Sequence, residues 1–183
     1  DAANYLREVF ARIAGWGFDF FKIDFLYAGA IPGRRRAPAG VIADYRAALA
    51  LIRAAVGPAA TILGCGAPLL PSIGLVDAMR VSPDVAPRYE PEGGDLSKPG
   101  QRSATLAGRA RAFQHGRWWA NDPACLIVRP AVERRAEWAA HIERDGGLRG
   151  SSDRLAALDD WGLETTRRLL RPSSPVPMVA AMP

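Results

Sequence analysis

Gly17-Phe18-Asp19-Phe20-Phe21-Lys22-Ile23-Asp24-Phe25 decides how this chain is read. Its aromatic and β-branched residues run almost unbroken, the pattern of a strand buried on both faces. Lys22 and Asp24 interrupt that run two positions apart, so they point to the same side. A buried charge is costly unless it is paired or hydrogen-bonded, so this side of the strand must meet something polar. The spacing leaves two readings open. Either both residues sit where the strand exits into a pocket, or they form an i,i+2 ion pair on an edge strand.

Outward from this stretch the chain alternates. Asp1 is placed to cap a helix carrying Leu6, Val9, Phe10 and Ile13, which Gly15 and Gly17 stop. After the strand comes a loop over 26–39, then an amphipathic helix through Ile42, Tyr45, Leu49, Ile52 and Val56, closed by Gly57-Pro58. Short strands are expected over Thr61–Cys65, Ala78–Ser82 and Trp118–Asn121, with a Pro/Gly-rich loop over 87–100 and a helix up to Gly116. Pro130 opens a further helix ending at Gly146-Gly147, and Ser151-Ser152-Asp153 reads as the cap of a last one through Leu170. The tail over 172–183 carries four prolines and is expected to be irregular.

Strand, loop and helix recur about four times with no hairpin signal between strands. That rhythm predicts parallel strands with right-handed helical crossovers: an α/β layer fold or part of a (β/α)8 TIM barrel. In both, chemistry collects where strands end in loops. Lys22, Asp24, Cys65, Arg80, Asp84, Asn121, Asp122, Ser152 and Asp153 all lie at such ends.

Composition narrows the class. Of 183 residues 49% are hydrophobic, enough for a sizeable core. The net charge of +5 comes almost entirely from scattered arginine, since only Lys22 and Lys98 are lysines, and this argues against a nucleic-acid footprint. Arg34, Arg35 and Arg36 form the one basic cluster, read as a solvated loop. Cys65 and Cys125 make neither a disulfide framework nor a zinc pattern, and no apolar run is long enough to span a bilayer. No membrane partner is expected, and the oligomeric state is open. Asp1 begins directly in a helical pattern, so the chain reads as a piece of something longer.

Two carboxylates at strand ends with a cation near each suggest divided labour. Lys22 would keep Asp24 ionised, as a nucleophile requires, while Asp84 on its loop would serve as acid and then base. That is the arrangement of a retaining glycosidase, whose carboxyls lie about 5–5.5 Å apart. A magnesium site using Asp24, Asp84 and Asp122 is the rival on residue type alone.

Four motifs in order, Phe21-Lys22-Ile23-Asp24-Phe25, Gly64-Cys65-Gly66-Ala67-Pro68, Asp77 to Pro87, and Trp119-Ala120-Asn121-Asp122-Pro123, resemble the strand-end motifs of the melibiase-type α-galactosidases of glycoside hydrolase clan D. The resemblance implies a partial (β/α)8 barrel over 1–171, approximately strands four to eight, with strand eight around Gly147–Ser151 and a linking tail over 172–183. It implies Asp24 as nucleophile and Asp84 as acid/base, with Lys22 and Arg80 on sugar hydroxyls. Cys65 and Gly66 would lie near the 2-hydroxyl, and Trp119 is the candidate of the Trp118-Trp119 pair for a sugar wall. It also implies a terminal α-galactoside substrate, no metal and no other cofactor, and favours a cytoplasmic location. Its alternatives are α-N-acetylgalactosaminidase, a transglycosylating relative, or a non-catalytic sugar-binding remnant. The family's Asn-Asp-Pro-Asp stands here as Asn121-Asp122-Pro123-Ala124, read as mainly structural. His115 and His141 are assigned surface roles near helix ends, and Trp16, Trp138 and Trp161 are assigned to the core.

Overall fold

A computed structural model describes residues 1–34 and 40–171. Arg35, Arg36 and the tail over 172–183 lie outside the described residues. The chain divides into two compact units, the first over Asp1–Met79 and the second over Arg80–Ala180.

In the first unit, α1 (Ala2–Gly15) is capped as expected: Asp1 accepts the Asn4 N–H at 2.9 Å. It leads into β1 (Phe20–Ile23) and a single 3-10 turn over Leu26–Ala30. Then follow α2 (Val41–Val56), β2 (Thr61–Gly64), the one-turn α3 (Leu69–Ser72) and β3 (Ala78–Arg80). β1 pairs with β2 and β2 with β3, all parallel, with Lys22 opposite Leu63 and Leu63 opposite Ala78. The core takes Phe21 from β1, Tyr45, Leu49 and Ile52 from α2, Ile62 and Leu63 from β2, and Ala78 and Met79 from β3.

The fully buried strand expected over 20–25 is corrected. Phe21 is buried and meets Phe10 of α1 at 6.1 Å between ring centres, but Phe20 and Lys22 are exposed, as are Phe18 and Phe25 beyond the strand ends. Among the described residues β1 pairs with β2 alone; the face carrying Phe21 packs on α1, and the face carrying Phe20 and Lys22 is exposed.

In the second unit, α4 (Gln101–Ala110), β4 (Ala120–Asp122), α5 (Arg135–Asp145) and α6 (Asp160–Leu169) enclose a core of Leu126, Ile127, Val128, Val132, Trp138, Ile142 and Leu169. Within this unit Val81 donates its N–H to the Asp122 carbonyl at 3.0 Å. The strand expected near Gly147–Ser151 shrinks to one parallel bridge, Leu126 to Ser151.

Two helix starts differ from expectation. α5 begins at Arg135 because Arg134 takes a left-handed conformation (φ 43°) and the segment before it is occupied elsewhere, Glu133 accepting the Tyr89 N–H at 2.6 Å. α6 is capped by Asp159, which accepts from Gly162 N–H at 2.9 Å and makes a two-pronged pair with Arg135. Asp153 serves instead as a buried acceptor for the Val128 and Arg129 N–H groups. Trp138 is core, whereas Trp16 and Trp161 are exposed. No helix among the described residues is long and apolar enough to cross a membrane.

Candidate active site

Asp24 follows directly on β1, and main chain frames it on both sides. Cys65 donates its N–H to Ile23 O at 2.9 Å and accepts the Leu26 N–H on its carbonyl at 3.3 Å; Tyr27 N–H reaches Gly66 O at 2.6 Å. The parallel ladder therefore continues past the strand ends and straddles Asp24-Phe25. To make that step Phe25 turns left-handed (φ 54°), and its N–H goes to Asp24 Oδ1 at 2.7 Å. Gly66 also has positive φ (51°), and a Cβ there would stand 3.3 Å from Phe25 N and 3.4 Å from Asp24 Oδ1. Only glycine fits so close and so turned a backbone at low cost. The first unit thus brings Asp24, Cys65 and Gly66 together: Cys65 is buried, while Asp24 and Lys22 are exposed along the same strand face.

The same unit holds a functional support that motif reading passed over. Asp77, first residue of the third motif, accepts the Ile62 N–H at 2.7 Å through Oδ2 and pairs through the same oxygen with Arg53 of α2. Arg53 also donates to Ala60 O at 2.6 Å. One carboxylate thereby fixes the start of β2 to the end of α2. An aspartate directly before an apolar strand was the available signal.

In the second unit Arg80 closes β3 and holds two carboxylates. Its Nε–H donates to Asp122 Oδ2 at 2.9 Å, and its Nη1–H donates to Asp84 Oδ1 at 2.8 Å. The environments differ: the side chains of Arg80 and Asp122 are 11% and 9% exposed, that of Asp84 75%. Asp84 is held through its main chain, its carbonyl accepting Gly100 N–H at 3.0 Å, while Ser82 Oγ donates to Pro123 O at 2.9 Å. Asp122 Oδ1 accepts the Ala124 N–H at 3.0 Å, and Ala124 carries φ 90°, a turn unusual for alanine. Asp122 thus satisfies strand-end backbone, as the modified Asn-Asp-Pro-Ala sequence suggests, and binds Arg80 as well. Among the described residues no group of three or more His, Cys, Asp or Glu side chains is arranged to hold a metal ion.

Trp119 requires correction. Its ring is wholly buried against Trp118 at 5.6 Å, so it offers no face to a sugar. His141 is corrected too. It is buried beside Trp138 with Nδ1 2.8 Å from Asp145 Oδ2, and burial pushes its pKa below the ordinary value. His115 accepts the Asn121 N–H at 3.2 Å, and burial lowers its pKa as well.

No family model matches the chain. Among solved structures it aligns with TtGalA, an α-galactosidase from Thermus thermophilus. The complex with stachyose matches at TM-score 0.80 and 30% identity over 93% of this chain and 38% of that one. The complex with p-nitrophenyl α-D-galactopyranoside matches at 0.76 and 31% over 92% and 36%. The Arthrobacter globiformis T6 isomalto-dextranase complexed with panose shares the fold at TM-score 0.63, with 16% identity over 92% of this chain and 31% of that one. The chain therefore spans less than two-fifths of TtGalA, and its fold is α/β, a partial (β/α)8 barrel. In motif order and in backbone alike, it resembles part of the catalytic barrel of the melibiase-type α-galactosidases.

Proposed function

We propose that the protein carrying this chain hydrolyses terminal α-galactosides with retention of configuration. Asp24 is the nucleophile and Asp84 the acid/base. The observation that carries this reading is the match at 30% identity and TM-score 0.80 to an α-galactosidase solved with stachyose. It is joined by two aspartates that stand at strand ends within the motifs of that family.

In the first step the Asp24 carboxylate bonds to the anomeric carbon while Asp84 gives its proton to the departing glycosidic oxygen. In the second, Asp84 takes a proton from water, and the oxygen of that water displaces Asp24 and releases the sugar. The main-chain frame around Asp24 supports the first role, since a nucleophile that is already oriented spends no binding energy on being placed. Lys22 and Arg80 are proposed to contact sugar hydroxyls. Cys65 and Gly66 are proposed to line the floor beside Asp24.

Replacing Asp24 by glycine in the full-length protein tests the reading. Hydrolysis of p-nitrophenyl α-galactoside is expected to vanish, and added azide is expected to yield the β-galactosyl azide. An Asp24→Gly protein with normal turnover overturns the assignment.

A further inference from the structure

Asp84 is mostly exposed, yet an acid/base must deliver its proton from one defined oxygen. The Arg80 guanidinium only donates, so the Asp84 oxygen it contacts, Oδ1, accepts and cannot face it with a proton. The proton of neutral Asp84 then belongs on Oδ2. That assignment lasts only while Arg80 stays in place, and Arg80 is a long side chain with considerable rotamer freedom.

We infer that Asp122 is a positioning residue for Asp84, acting through Arg80. A guanidinium is a rigid planar fork, so fixing Nε fixes the direction in which Nη1 points. Asp122 Oδ2 takes Nε–H at 2.9 Å in a nearly buried pair. Asp122 is held in turn: its Oδ1 binds Ala124 N–H at 3.0 Å, and its carbonyl binds the N–H of Val81, the residue after Arg80, at 3.0 Å. Both the side chain and the main chain of Asp122 therefore grip the Arg80-Val81 step. The buried carboxylate fixes the cation, and the cation fixes the exposed carboxylate.

The inference rests on the proposed role of Asp84, and the variant Asp122→Asn separates the two. An asparagine keeps an oxygen for Ala124 N–H but turns an amide donor toward Arg80 Nε–H, which frees the fork. In the full-length protein kcat/KM, taken per folded molecule because the broken buried pair lowers the melting temperature, is expected to fall about 100-fold for a substrate with a sugar leaving group and less than about 5-fold for p-nitrophenyl α-galactoside. Arg80→Lys, which also removes a proposed sugar contact, is expected to lose on both substrates, and adding Asp122→Asn to it is expected to bring no further loss selective for the sugar leaving group. Equal losses of Asp122→Asn on both substrates, or a selective loss that multiplies in the double variant, overturn the inference and leave Asp122 as a turn anchor. If the wild-type protein cleaves no α-galactoside, the proposed function fails by itself. The positioning is then read from the Asp84 carboxyl 13C resonance: a shift in Asp122→Asn upholds it and an unmoved signal refutes it.

Discussion

A side-chain carbon placed on Gly66 would stand 3.4 Å from the Asp24 carboxylate oxygen, with the Phe25 N–H 3.3 Å away. Gly66→Ala therefore crowds the proposed nucleophile and also forces alanine to φ 51°. The backbone term alone costs about 1–2 kcal/mol. We expect kcat on p-nitrophenyl α-galactoside to fall more steeply than the lowered urea midpoint explains. Activity that merely tracks the folded fraction would argue against the crowding.

Asp77 ties β2 to α2 through Ile62 N–H and Arg53. The pair is partly exposed, its side chains 22% and 37% accessible, so solvent screens much of the ionic part. Asp77→Ala should cost about 1–3 kcal/mol, chiefly for the unsatisfied Ile62 N–H, with Asp77→Asn costing less. Urea unfolding of the two variants measures the difference.

Gly147 packs directly on a histidine ring: a Cβ there would overlap His115 Cε1 and Nδ1. Gly147→Ala must push that ring aside and break the Asn121 N–H to His115 Nδ1 bond. A loss of about 1–3 kcal/mol is expected. An NMR spectrum in which the His115 ring resonances stay put would contradict it.

His141 makes stability depend on pH. Burial holds its folded pKa below the ordinary 6.5, with Arg144 and Arg109 acting in the same direction and Asp145 opposing. The unfolded chain therefore binds the proton first as pH falls. Stability is full above about 6.5 and declines below it until the folded pKa is reached. His141→Gln should lessen the fall of the melting temperature below about pH 6.5, His115 keeping its own share.

The sequence was most legible where a residue's role is local. Asp1 capping Asn4 and the helical spacing of Tyr45, Leu49 and Ile52 each follow from neighbours within a few positions. What it hid was long-range. Phe20 and Phe21 are identical in type, and only the packing of α1 on one strand face decides that Phe21 is buried. Trp119 looked like a sugar platform because an aromatic at a strand end suits either use. The start of α5 turns on Glu133 reaching Tyr89, 44 positions away. In the site, Asp84 and Arg80 share a motif, whereas Asp122 joins them from 42 positions downstream, which spacing does not reveal.

Cys65 grips both flanks of Asp24 with its peptide N–H and carbonyl. Any amino acid except proline supplies those two groups. On the proposed function, the placement of the nucleophile is thus written into the peptide backbone at position 65, so a change of side chain there leaves both of those main-chain bonds available.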